Sequence, residues 1–129
     1  MLSRLTTNFH HSLAALGLVV LLVSQALAAD PEYLAAVADL PLPPGLVEEV
    51  EAGISFDKPE GRIVEAVARG AVTEADVVAF YRAALPGLGW QKLMGGETGS
   101  RWQRGGELLS VEIIDGSNPL VVRFSIAPN

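Results

Sequence analysis

Thr73 to Trp90 reads TEADVVAFYRAALPGLGW, and the layout of the rest of the chain follows from it. Thr73 is a good N-cap, because its hydroxyl accepts a bond from an otherwise unpaired first-turn amide. Asp76, three residues on, is a shorter version of the acid in a capping box. Glu74 and Asp76 also set negative charge at the positive end of the helix dipole. Val77, Phe80, Tyr81, Ala84 and Leu85 recur at spacings of three and four, the helical period, with Arg82 on the opposite side. Pro86 ends the run because it has no amide to donate and disfavours a helical Leu85. Gly87 and Gly89 then allow a sharp reversal into a strand led by Trp90. An amphipathic helix of this kind needs an apolar partner, and the flanking sequence supplies a sheet.

Before the helix, Ile54-Ser55-Phe56 alternates like a strand and Asp57-Lys58-Pro59-Glu60-Gly61 is turn chemistry. Arg62 to Arg69 is the return strand, with Val64, Ala66 and Ala68 on one face; Ile63, Glu65, Val67 and Arg69 share the other. Leu46 to Phe56 is otherwise ambiguous. After the helix come four strand-like runs, at Trp90–Met94, Ser100–Arg104, Glu107–Ile114 and Leu120–Ala127. Gly105-Gly106 suits a tight hairpin, and Asp115-Gly116-Ser117-Asn118 turns the chain. The predicted architecture is α+β: an antiparallel sheet of five to six strands with one face packed on a single helix. Its other face is partly solvated, which accommodates Glu65, Arg69, Glu112 and Arg123.

The first residues belong to a different physical regime. Leu13 to Ala29 carries no charge, and Ala26-Leu27-Ala28 presents the small residues read by signal peptidase. This predicts a signal peptide over 1–28, cleaved after Ala28, with Ala26 and Ala28 as the recognition positions. The alternative, an uncleaved anchor, needs about 20 apolar residues. Residues 29–45 read as an N-terminal leader and a linker. Asp30-Pro31-Glu32 resembles a helix start, so Glu32 to Leu40 is either two helical turns or a mobile leader. Pro41-Leu42-Pro43-Pro44-Gly45 is a stiff spacer before a single α+β domain over 46–129.

Phe56-Asp57-Lys58-Pro59-Glu60-Gly61-Arg62-Ile63, followed by Phe80-Tyr81 and Leu85-Pro86-Gly87-Leu88-Gly89-Trp90, resembles a group of small exported proteins of Gram-negative bacteria without an assigned activity. The resemblance covers about Leu40 to Ala127. It implies a periplasmic location and a helix-on-sheet fold, and it transfers no catalytic residues.

Composition narrows the chemistry. The chain has no cysteine, and both histidines, His10 and His11, fall in the signal. The exported form therefore lacks disulfides, thiol nucleophiles, histidine triads and imidazole or thiolate metal sites. No catalytic residue, metal or cofactor is implied. Without residues 1–28 the chain keeps eight Lys+Arg (nine less Arg4) against fifteen Asp+Glu, a net charge of −7. Such acidity argues against nucleic acid and anionic lipid as partners, and no stable membrane insertion is expected after cleavage.

Carboxylates remain as possible acid and base. Glu65 with Glu112 is the candidate pair; the plainer reading is two solvated sheet positions beside Arg69 and Arg123. Arg101 and Arg104 bracket Trp102, a pattern that suits a cation–aromatic platform for a sugar or an anion or, more simply, the solvated residues of an edge strand. Asp115–Asn118 lacks the spaced oxygens of a calcium loop. The glycines at 95–99 and 105–106 lack the lysine-led helix of a phosphate cradle. Trp90 and Tyr81 are expected in the core, with their polar atoms reaching the sheet rim. The functional expectation is a non-enzymatic binding or accessory module of the cell envelope, engaging an envelope protein or a small ligand. The alternatives are a small carboxylate-dependent hydrolase or lyase and a structural envelope component.

Overall fold

A computed structural model describes residues 30–96 and 98–129. The signal and its cleavage positions, Ala26 and Ala28, lie outside the described residues. The organising helix, α1, runs Glu74–Ala84 and continues as a 3-10 turn over Pro86–Leu88. Its start is capped as the sequence predicts: the Thr73 hydroxyl accepts from the Asp76 amide at 3.1 Å. Gly89 takes the left-handed conformation at φ 89° and turns the chain toward the sheet.

The strands are β1 (Tyr33–Leu34), β2 (Val37–Pro41), β3 (Leu46–Glu48), β4 (Ile54–Lys58), β5 (Gly61–Gly70), β6 (Gln91–Gly95), β7 (Gly99–Arg104), β8 (Glu107–Ile114) and β9 (Leu120–Pro128). Seven of them, β3 to β9, form one antiparallel sheet in the order β3-β5-β9-β8-β7-β6, with β4 also paired to β5. The predicted five to six strands are thus corrected to seven. The extra strand arises because one sheet edge is broken in two. β3 pairs with β5 at Ala68–Gly70 and β4 pairs with it at Gly61–Glu65, while a 3-10 turn at Val50–Ala52 interrupts them. At the β3–β5 crossing the backbones approach so closely that a Cβ on Gly70 would stand 1.9 Å from the Gly45 carbonyl oxygen. Only glycine fits there.

The period-two pattern sorts the two faces cleanly. Val64, Ala66 and Ala68 of β5 point inward with Leu109, Val111 and Ile113 of β8 and Leu120, Val122, Phe124 and Ile126 of β9. Val77 and Tyr81 of α1 and Leu85 at its C-cap close over them, with the Tyr81 and Phe124 rings edge to face at 5.7 Å. Phe80 is only half-buried at the margin of this core.

The second correction concerns residues 30–42. Neither a helix nor a mobile leader forms; β1 and β2 make a hairpin packed into the same core. Leu34, Val37, Leu40 and Leu42 are all buried, Leu40 completely. A single helix is about 10 Å wide, whereas six strand columns at about 4.8 Å spacing spread over roughly 24 Å. The inner sheet face therefore needs a second cover, and the hairpin is that cover. Its ties are specific: the Leu42 amide donates to the Glu32 carbonyl at 2.8 Å, the Ala35 amide to the Glu48 carboxylate at 2.7 Å, and the Tyr81 hydroxyl to the Pro41 carbonyl at 2.9 Å. The segment taken as a stiff spacer is thus partly interior.

Candidate functional site

The predicted Arg101–Trp102–Arg104 platform does not assemble. Strand alternation turns Arg101 out to solvent and Trp102 inward, where the ring is 2% exposed and its Nε1 donates to Ser100 Oγ at 2.9 Å. Nor is β7 an edge strand, since β6 lies outside it. The Lys92 ammonium sits 5.8 Å from the Trp102 ring centroid. Arg104 acts as a strap. Its guanidinium lies 4.3 Å from the Trp90 ring centroid and donates to Asp39 Oδ2 at 2.5 Å and to the Leu88 carbonyl at 3.1 Å. One cation thus joins β7, the hairpin and the turn after α1. The hydrogen bond from Arg104 holds the Asp39 carboxyl below the usual aspartate range, against a smaller opposing effect of desolvation.

Trp90 and Tyr81 are core residues as expected, but their polar atoms fare differently. The Tyr81 hydroxyl has its partner on the hairpin, and burial drives its pKa far above the ordinary phenol value. Trp90 Nε1 is buried without a hydrogen-bond acceptor, beneath the Arg104 guanidinium.

The candidate carboxylate pair is also taken apart. Glu65 is on β5 opposite Ser125, and Glu112 is on β8 opposite Arg123, so the whole of β9 runs between them. Glu112 instead accepts from Arg123 at 3.3 Å, and Arg69 pairs with Glu49 rather than with Glu65. Among the described residues, no group of three or more His, Cys, Asp or Glu side chains is placed to hold a metal, and no helix is long and apolar enough to cross a membrane.

Among the described residues, two of the concavities border α1. One, of about 500 Å³, opens between α1 and β6 and is lined by Glu74, Val78, Arg82 and Lys92. The other, about 270 Å³ and mostly apolar, lies where the hairpin meets α1 and is lined by Pro31, Leu42, Pro44, Leu46 and Phe80 together with Asp30 and Glu32.

Among the described residues, the outer face of the sheet carries part-exposed apolar side chains. Phe56 stands opposite Ile63 across β4 and β5, and Leu108 stands opposite Ala127 across β8 and β9. β5 and β9 are paired up to Val64 and Ile126, and continuing that register by one residue brings Ile63 beside Ala127, so these four residues line up as an apolar row over four adjacent strands. Phe56 is 47% exposed and the other three are part-buried. Glu65, Arg69, Glu112 and Arg123 share this face. The signal for it was in the sequence, because Ile63 and Val67 alternate with Val64, Ala66 and Ala68: β5 is apolar on both faces. Its alignment with Leu108 and Ala127 depends on strand order, which a single sequence does not specify.

Among the described residues, the fold is a small α+β domain whose inner sheet face is covered twice and whose outer face carries part-exposed side chains. No protein-family model, curated protein or solved structure matches the chain.

Proposed function

We propose that this chain is an exported, non-catalytic binding module of the Gram-negative cell envelope, working in the periplasm and engaging a protein partner on the open sheet face. The observation that carries the reading is the Phe56–Ile63–Ala127–Leu108 row, an apolar centre with charges of both signs around it. Apolar residues at the middle of a patch with polar ones at its margin are the usual composition of a protein-docking surface. Export is supported by the uncharged run from Leu13 to Ala29 and the Ala26-Leu27-Ala28 sequence. The partner is expected to offer a matching apolar centre, with charges that answer Arg69, Arg123, Glu65 and Glu112.

The test is affinity capture from envelope extract with the unmodified protein and with Leu108→Glu, which sets a charge in the row without touching the inner core. One dominant protein retained by the first and lost by the second, with unchanged melting of the variant, supports the reading. Equal capture by both, or no capture at any salt concentration, contradicts it. Export is checked by the mass of the protein recovered from cells. A chain starting at Ala29 is expected, and one starting at Met1 in the membrane fraction would overturn the assignment.

A further inference from the structure

The two edges of the large sheet are built differently. β6 carries a register irregularity between Lys92 and Met94, a device that discourages another strand from pairing there. β4 has no such irregularity. Its five residues pair with β5 in unbroken register, all five are exposed, and its outer side carries Ile54 at 58% and Phe56 at 47% exposure. An edge of this kind can receive a further strand.

We propose that the occupant is β4 of a second copy of this chain, paired antiparallel about a two-fold axis at Phe56. This is the register that matches all five residues of one copy with all five of the other. It sets Phe56 against its own counterpart, Ile54 against Lys58 and Ser55 against Asp57. No like charges then face each other, and Ile54, Phe56 and the Lys58 stem share the outer side. Shifting the centre by one residue toward the C-terminus would oppose Asp57 to itself, which is destabilising. The ends of β4 are also complementary. Glu65 lies directly beside Ile54 and Glu51 precedes that end, whereas the other end carries Lys58 between Asp57 and Glu60, its ammonium 6.0 Å from the Phe56 ring centroid. The two-fold brings each Lys58 toward the acidic end of the opposite copy. For a domain of strongly negative net charge, whose copies otherwise repel, such attraction offsets part of that repulsion. The assembled sheet runs continuously through both copies and joins their outer apolar rows. The inference goes beyond the proposed function, since self-pairing at the edge requires no partner on the face.

The absence of cysteine makes the register directly testable. With protein purified after expression of the full chain, sedimentation should show a concentration-dependent doubling of mass. Phe56→Cys should form a disulfide-linked dimer under mild oxidation. Ile54→Cys and Lys58→Cys should each remain largely monomeric alone and cross-link when mixed. Val47→Cys, exposed but on β3 and outside the five paired residues, serves as the collision control. A protein monomeric at every concentration, a Phe56→Cys variant that links no faster than Val47→Cys, or self-linking of Ile54→Cys equal to its linking with Lys58→Cys would each overturn the proposal.

Discussion

The helix α1 and the β1–β2 hairpin cover the same sheet face, yet only one of them is legible from its own residues. α1 carries every local signal it needs: a capping hydroxyl at Thr73, a period of three and four, and a stop at Pro86. The hairpin carries misleading ones. Leu34, Val37 and Leu40 recur every three residues, as on a helix, and Ala35-Ala36 at the reversal has none of the usual turn chemistry. What fixes the hairpin comes from elsewhere in the chain: Glu48 receiving the Ala35 amide, Tyr81 donating to Pro41, and Arg104 holding Asp39 across 65 positions. Local preference is a weak prior when tertiary contacts oppose it, and here the uncovered width of the sheet decides.

The largest expected effect tests whether the two covers are equivalent. Leu40 and Leu85 are both fully buried, one on each cover. Leu40→Ala and Leu85→Ala should therefore each cost about 2–5 kcal/mol in urea unfolding, since each leaves a cavity. A spacer-like Leu40 would cost almost nothing, and that result would restore the leader reading.

The next test cuts the link between the covers. Tyr81→Phe keeps the ring against Phe124 but removes the bond to Pro41, and should cost about 1–2 kcal/mol. If the hairpin is held as described, Tyr81→Phe should also raise proteolytic cleavage before residue 43 more than within α1.

Thr73→Ala acts on the helix alone. Loss of the cap should cost about 1 kcal/mol, and the hairpin amides should be affected only through global stability.

The smallest effect is a pH dependence. The folded protein holds the Asp39 carboxyl below its ordinary range, so the pair stabilises the fold above that range. The contribution is lost as pH falls from the ordinary aspartate value through the lower folded one. Because Asp39 is half-exposed, solvent and salt limit it to roughly 0.2–1 kcal/mol. Asp39→Asn should unfold slightly more easily than the unmodified protein at neutral pH, and the difference should vanish in strong acid. A gap that widens on acidification would contradict the assignment.

The same division between local and distant causes separates what could be read of the fold from what could not. The last strand, with Leu120, Val122, Phe124 and Ile126 inward, and the Gly105-Gly106 hairpin follow from local pattern and match the structure. The seventh strand was hidden because Leu46–Glu48 has only three residues and is cut off by a 3-10 turn. For the candidate site, residue type alone was a poor guide. Trp102 stands between two arginines in the sequence, but alternation on an interior strand buries it. Glu65 and Glu112 are a candidate pair by residue type alone, and strand order sets β9 between them. Arg104 looked like a ligand contact, and its partners prove to be Asp39, Leu88 and Trp90.

Native-state hydrogen exchange at two amides tests the claim of a doubly covered sheet most directly. The Leu42 amide donates to the Glu32 carbonyl in the hairpin, and the Leu85 amide donates to the Tyr81 carbonyl in the helix. If the hairpin belongs to the core, both should exchange only through the same global opening, with equal free energies and equal denaturant dependence. Exchange of Leu42 at the rate of an unstructured amide while Leu85 stays protected would contradict it.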